Sequence, residues 1–144
     1  MPGGTPNSVR FIEDYQGNVH DLEFSELRID MPNNTSSVTL EMFNMVNIPD
    51  IDASISDLDI YFDTSDYDIT MINNSPPVLH YHLFFKYSGG GNTLNLNYDQ
   101  SFTYFWPNGN SLYTVNDGIY ELSFLLDVDN STNKKAYVLW ASFS

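Results

Sequence analysis

Apolar and polar residues alternate along most of this chain, the spacing that sends successive side chains to opposite faces of a β-strand. Leu27, Ile29 and Met31 alternate with Glu26, Arg28 and Asp30. Val38, Leu40, Met42 and Val46 share one face of the next segment, with Phe43 and Met45 on the other. Leu58, Ile60 and Phe62 alternate with Asp57, Asp59 and Asp63, which predicts a half-buried strand with a carboxylate face. Tyr67, Ile69 and Met71 repeat the pattern against Asp68 and Thr70. Residues 78–87 are apolar at nearly every position and predict a central strand covered on both sides. Shorter strands are expected at 102–106 and 112–115. The clearest pair is 119–128 with 136–143, joined by the turn-rich segment 129–134. A strand near 8–13 is expected to turn at Gln16-Gly17-Asn18 into 19–24.

The breaks between these segments carry strong turn chemistry: Pro32-Asn33-Asn34-Thr35, Asn73-Asn74-Ser75-Pro76-Pro77, Gly89-Gly90-Gly91-Asn92, Pro107-Asn108-Gly109-Asn110 and Asn116-Asp117-Gly118. No window shows a helical stripe, and Asp and β-branched residues argue against a helix at 49–58. Strands at roughly 8–12-residue spacing predict an all-β fold, a single antiparallel β-sandwich (immunoglobulin-like or jelly-roll) of about eight to ten strands. Residues 1–144 form one domain in this reading, with 1–7 as a flexible N-terminal segment.

Composition supplies the core for that fold. Of the residues, 42% are hydrophobic, including 10 Tyr, 10 Phe and 2 Trp, and Trp140 is expected among the buried ones. Each buried aromatic removes roughly 150–250 Å² from water. The chain has no Cys, which excludes thiol catalysis, thiolate zinc sites and a disulfide framework. The opening Met1-Pro2-Gly3-Gly4-Thr5-Pro6 lacks the basic and apolar parts of a signal peptide, and no apolar run reaches the ~20 residues of a membrane span. Nineteen acidic residues against five basic ones give a formal charge of −14. That balance disfavours nucleic acid and anionic membranes, both of which are bound through Lys and Arg. It leaves solubility, cation binding or a basic partner as the meaning of the charge.

Three sets of residues are candidates for chemistry. His80 and His82 sit two apart on a strand, so both imidazoles point the same way, but a metal needs a third ligand from elsewhere, such as His20 or an Asp. Asp-x-Asp pairs (Asp50/Asp52, Asp57/Asp59, Asp66/Asp68, Asp127/Asp129) offer oxygen ligands. The segment from Asp127 imitates the start of a calcium loop, yet Thr132 stands where Gly is wanted and Val138 where a bidentate Glu is wanted. No motif selects an acid and a base among the carboxylates, and no nucleophile elbow, P-loop or HExxH is present. The third set is aromatic. Phe105, Trp106, Asn108, Asn110 and Tyr113 place rings and amides at a turn, the pairing that stacks on and hydrogen-bonds a sugar. Asn-x-Ser/Thr triplets at Asn33 or Asn34, Asn73 and Asn130 fall in turns, and without a leader they imply no glycosylation.

Asn116-Asp117-Gly118-Ile119-Tyr120-Glu121-Leu122, followed by a strand, a polar turn and a closing strand, resembles the final hairpin of small immunoglobulin-like domains of tailed-phage virion proteins. The likeness covers residues 116–143. It implies a structural or adaptor role in a virus particle, at tail, baseplate or capsid surface. The expectation is therefore a non-enzymatic β-sandwich without cofactor, assembling with its own copies or other virion proteins. It would be found in the virion, or in the cytoplasm before assembly. A carbohydrate-binding module using the aromatic loop is the alternative.

Overall fold

A computed structural model describes residues 11–13, 19–21, 27–42, 44–64, 78–128 and 133–144. Within these, the chain forms β1 (Phe11–Glu13), β2 (Val19–Asp21), β3 (Leu27–Asp30), β4 (Ser37–Leu40), β5 (Asn44–Asp52) and β6 (Asp57–Phe62). There follow β7 (Val78–Ser88), β8 (Leu94–Tyr98), β9 (Thr103–Phe105), β10 (Thr114–Val115), β11 (Gly118–Asp127) and β12 (Lys135–Phe143). A single 3₁₀ turn lies at Pro107–Gly109. The all-β sandwich is as expected. A six-stranded sheet, in the order β3-β5-β7-β11-β12-β9, packs on a four-stranded sheet in the order β10-β8-β6-β4. β1 and β2 pair with each other, Phe11 opposite Asp21.

The expected antiparallel pairing holds only in part. β7, β11 and β12 run antiparallel, as do β8 and β10. By contrast β3, β5 and β7 are parallel neighbours, β4, β6 and β8 likewise, and β9 lies parallel to β12. The cause is the path of the chain. From β3 to β8 each strand crosses to the opposite sheet, so neighbours within a sheet there are two strands apart in sequence and point the same way. An immunoglobulin or jelly-roll order is built from antiparallel neighbours instead.

β4 to β8 each bury one face, whereas β3, expected to bury Leu27 and Ile29, is exposed along its length. Val38 and Leu40 of β4, Leu58, Ile60 and Phe62 of β6, and Leu94, Leu96 and Tyr98 of β8 meet Val46 and Ile48 of β5 and the odd-numbered residues 79–87 of β7. Tyr120, Leu122, Phe124 and Leu126 of β11 complete the layer. Three further expectations are corrected here. The segment at 38–46 is two strands in different sheets, broken at Glu41-Met42, because Val38 and Val46 line opposite walls of one core. β7 is central but covered on one side only, its even positions alternating outward as Val78, His80 and Lys86. Leu94-Asn95-Leu96-Asn97-Tyr98 is a strand where none was expected; its buried Leu and Tyr outweigh the low strand preference of Asn. The strand expected at 67–71 and the turns at 16–18 and 73–77 lie outside the described residues.

Two irregularities have clear local causes. Pro49, which has no N–H to donate, sits in β5 between Ile48 and Ile51, where the ladder to β7 shifts register. The Asp117 carboxylate accepts from the Gly89 and Gly90 backbone N–H groups at 2.8 and 3.2 Å. The Asn116-Asp117-Gly118 turn thus joins β10 of one sheet to β11 of the other and clasps the β7–β8 connection as it does so.

Neighbouring residues of β11 test the two faces. Phe124 is fully buried and Leu125 is 40% exposed. Phe124→Ala is expected to cost about 3–5 kcal/mol in urea denaturation. Leu125→Ala is expected to stay within about 0.5 kcal/mol of the parent.

Candidate functional site

The segment between β8 and β11 builds a cluster of aromatic rings. After Tyr98 the chain turns at Asp99, whose carboxylate accepts from the backbone N–H and hydroxyl of Ser101 at 3.0 and 2.7 Å, an Asx-type turn. Phe102 drops into the core and β9 follows. Trp106 then leads into the 3₁₀ turn, where Pro107 presets its own φ. Asn108 and Gly109 take the left-handed conformation, with φ of 49° and 73°, which these two residue types tolerate best. The Asn110 N–H closes the turn on the Pro107 carbonyl at 2.8 Å.

Tyr98 is the hub. Its ring meets Tyr104, Trp106 and Tyr113 at centroid distances of 5.2, 5.4 and 5.8 Å, and Trp106 meets Tyr113 edge-on at 5.3 Å. Its hydroxyl donates to the Leu112 carbonyl at 2.6 Å, and that of Tyr104 to the Asp99 carbonyl at 2.7 Å. Burial drives the Tyr98 phenol well above its ordinary range, with Tyr113 and Tyr104 adding to the effect. Burial raises Tyr104 too, helped by the Asp99 charge, and raises Tyr81 beside Asp63. Leu96, Asn97, Tyr98, Gln100, Phe102, Tyr104 and Tyr113 line an open cleft of about 400 Å³.

The five expected binding residues therefore divide. Tyr113 is exposed at the cleft, and Trp106 is half-buried against the core. Asn108 and Asn110 are exposed at the turn. Phe105 faces the other way and stacks on Tyr137 at 5.1 Å and 20°. Trp140, expected in the core, packs at its rim; its indole N–H donates to the Asn110 carbonyl at 2.9 Å and ties the turn to β12.

Phe105 belongs to a second surface, the outward face of the six-stranded sheet. One row in register across four strands reads Phe105, Tyr137, Leu125, His80; the next reads Leu139, Ser123, His82. Val78, Phe105, Leu125, Tyr137, Leu139 and Phe143 are each between 40% and 64% exposed. Sequence reasoning named no individual binding residue in β12, although the signal was present: residues 136–141 are apolar on both faces of the strand. The outward face of the four-stranded sheet is polar by comparison. There Asn97 donates to Asp57 and Asp59 at 3.2 and 2.9 Å, between Ser37, Thr39, Asn95 and Thr114.

Charge is distributed just as unevenly. None of the 19 acidic and five basic residues falls within 100–116 or 136–144. The Trp140–Asn110 bond and the Phe105–Tyr137 stack join these two stretches, and Lys134, over the Phe102 ring at 5.6 Å, and Lys135, opposite Thr103, flank them.

The histidine pair lies on the apolar face, rings 5.1 Å apart, with His82 Nε2 at 2.9 Å from Glu121 Oε1. Among the described residues no three His, Asp or Glu side chains converge as metal ligands would. Asp127 stands opposite Lys135 on β12, while Asp129, His20 and the Asp66/Asp68 pair are not among the side chains described. The remaining Asp pairs hold backbone and side-chain donors. Asp50 accepts from the Ser88 hydroxyl at 2.6 Å. Asp52 accepts from Ser54 and Asn34, and these bonds, Ser54 first, hold its carboxyl below the ordinary range. Ser56, then Asn97, do the same for Asp57.

The raised phenols give a pH test. A raised folded-state value keeps its stabilising effect below the unfolded phenol's pKa of about 10 and loses it as pH climbs above that. In an alkaline absorbance titration, Tyr81, Tyr98 and Tyr104 are expected to ionise only as the circular-dichroism signal of the fold is lost. Ionisation of all 10 tyrosines before unfolding would contradict their burial.

No family model, curated protein or solved structure matches this chain.

Proposed function

We propose that this chain is a non-enzymatic assembly module, a β-sandwich that joins copies of itself or other structural proteins, as a component of a virion tail, baseplate or capsid surface. The observation that carries the assembly reading is the outward face of the six-stranded sheet, where large apolar side chains from β7, β9, β11 and β12 stand together in solvent. Contiguous apolar surface of this kind marks interaction sites, because exposing it has a cost that contact removes. The virion setting rests on the likeness of the segment from Asn116 to phage domains. A specific observation favours a second reading. The Tyr98–Tyr104–Tyr113 cleft, with the amides of Asn97 and Gln100 at its wall, has the rings and hydrogen-bonding groups that a sugar uses.

Light scattering and a glycan array separate the two. The assembly reading expects association in the micromolar range that Leu125→Lys combined with Tyr137→Lys weakens, with no sugar bound. A chain that stays monomeric and binds one defined glycan, with loss of binding in Tyr113→Ala, would reverse the order.

A further inference from the structure

We infer that two copies of this chain pair through the free edge of β12, antiparallel about a two-fold axis, so that their six-stranded sheets become one continuous sheet. This rests on the assembly reading and fixes the geometry of the copy-to-copy contact.

The backbone supplies the first argument. β9 covers β12 only from Lys135 to Tyr137. Among the described residues, nothing pairs with 138–143 on the side away from β11. An uncovered edge presents a row of unpaired N–H and C=O groups to any strand that can align with it. Chains commonly blunt such edges with charge, proline or short length. The other edges here follow that rule: β3 carries Arg28 and Asp30, β4 is four residues long, and β10 is two. Residues 138–143 have none of these protections, and Leu139 and Phe143 are exposed large apolar residues.

Charge identifies the occupant as a second copy. Two bodies of −14 repel wherever their acidic surfaces meet. Residues 100–116 and 136–144 contain no acidic residue, and the β12 edge runs along them, with Lys134 and Lys135 at its start. Two copies of residues 138–143, none of them charged, can align without placing like charges opposite each other, the arrangement that destabilises strand pairs. A two-fold axis makes the contact self-complementary, since the same strand supplies both halves and the contact closes as a dimer. The pairing also sets the two outward apolar faces side by side as one larger platform for other structural proteins.

Because the chain has no Cys, single introduced thiols report the contact cleanly. Cys is placed in turn at Leu139, Ala141, Ser142 and Phe143, with Thr39→Cys on the opposite sheet as control; all five positions are exposed. At a two-fold axis, facing residues lie about 4.5–5.5 Å apart, within disulfide reach of about 4.4–6.8 Å. One residue further along both strands adds about 7 Å and breaks that reach. The expected result is a disulfide dimer of twice 16.4 kDa whose yield peaks sharply at one β12 position and is absent at Thr39. Leu139→Lys, at a solvent-facing position, is expected to leave the melting temperature unchanged and to weaken self-association about tenfold or more. Association that persists in Leu139→Lys, or cross-linking that is flat along β12 or strongest at Thr39, overturns the edge pairing and leaves the assembly reading standing. A chain that never self-associates overturns the edge pairing; if it also joins no structural partner, the assembly reading falls with it.

Discussion

Phe62 is where the two sheets are held in register. It comes from the four-stranded sheet and meets Phe124 of β11, Tyr81 of β7 and Phe102 ahead of β9 edge-on, at 4.9, 5.3 and 5.4 Å. Edge-to-face packing fixes both distance and tilt, which aliphatic contacts do not. Through Phe102 the same cluster anchors the chain just where it leaves β8 for β9. The positions of the aromatic segment, the cleft and the Phe105–Tyr137 stack all follow from that anchor. Tyr98, itself 6.0 Å from Phe124, carries the constraint outward.

Much of this was legible in the alternation of side chains, and the failures have physical reasons. Leu58, Ile60 and Phe62 read correctly because a period of two with Asp between leaves one face to bury. Leu94, Leu96 and Tyr98 obey the same period, but the low strand preference of the Asn between them masks it, and no strand was expected there. Periodicity says which face is buried and nothing about which strand lies alongside, so the parallel pairs were out of reach. Val38 and Val46 looked like one face because both are buried, though in different sheets. At the candidate site the turn at Pro107-Asn108-Gly109-Asn110 was foreseen from residue types alone. The partition of its rings between cleft and sheet face was not, since it depends on contacts with Tyr98 and Tyr137 on other strands.

The acidity also has a more local meaning than net charge suggests. Asp30 accepts from Asn47, the buried polar residue of the described core, and from Arg28. Asp50, Asp52, Asp57, Asp59 and Asp99 each accept hydrogen bonds from Ser or Asn. In a chain with few cations, hydroxyls and amides take the place of Lys and Arg as partners for carboxylates. The chain can thus keep a high negative charge with only five basic residues to oppose it.

The Asp117 clasp has an implication for how such a chain can vary. Surface connections ordinarily accept insertions and deletions freely. Here one carboxylate spans two of them, holding the amides of Gly89 and Gly90 from a turn on the far side of β8, β9 and β10. A side chain at Gly89 would also run into the Tyr87 ring. The two connections are therefore yoked in length: a residue gained in either one moves the acceptor away from its donors unless the other shifts in compensation.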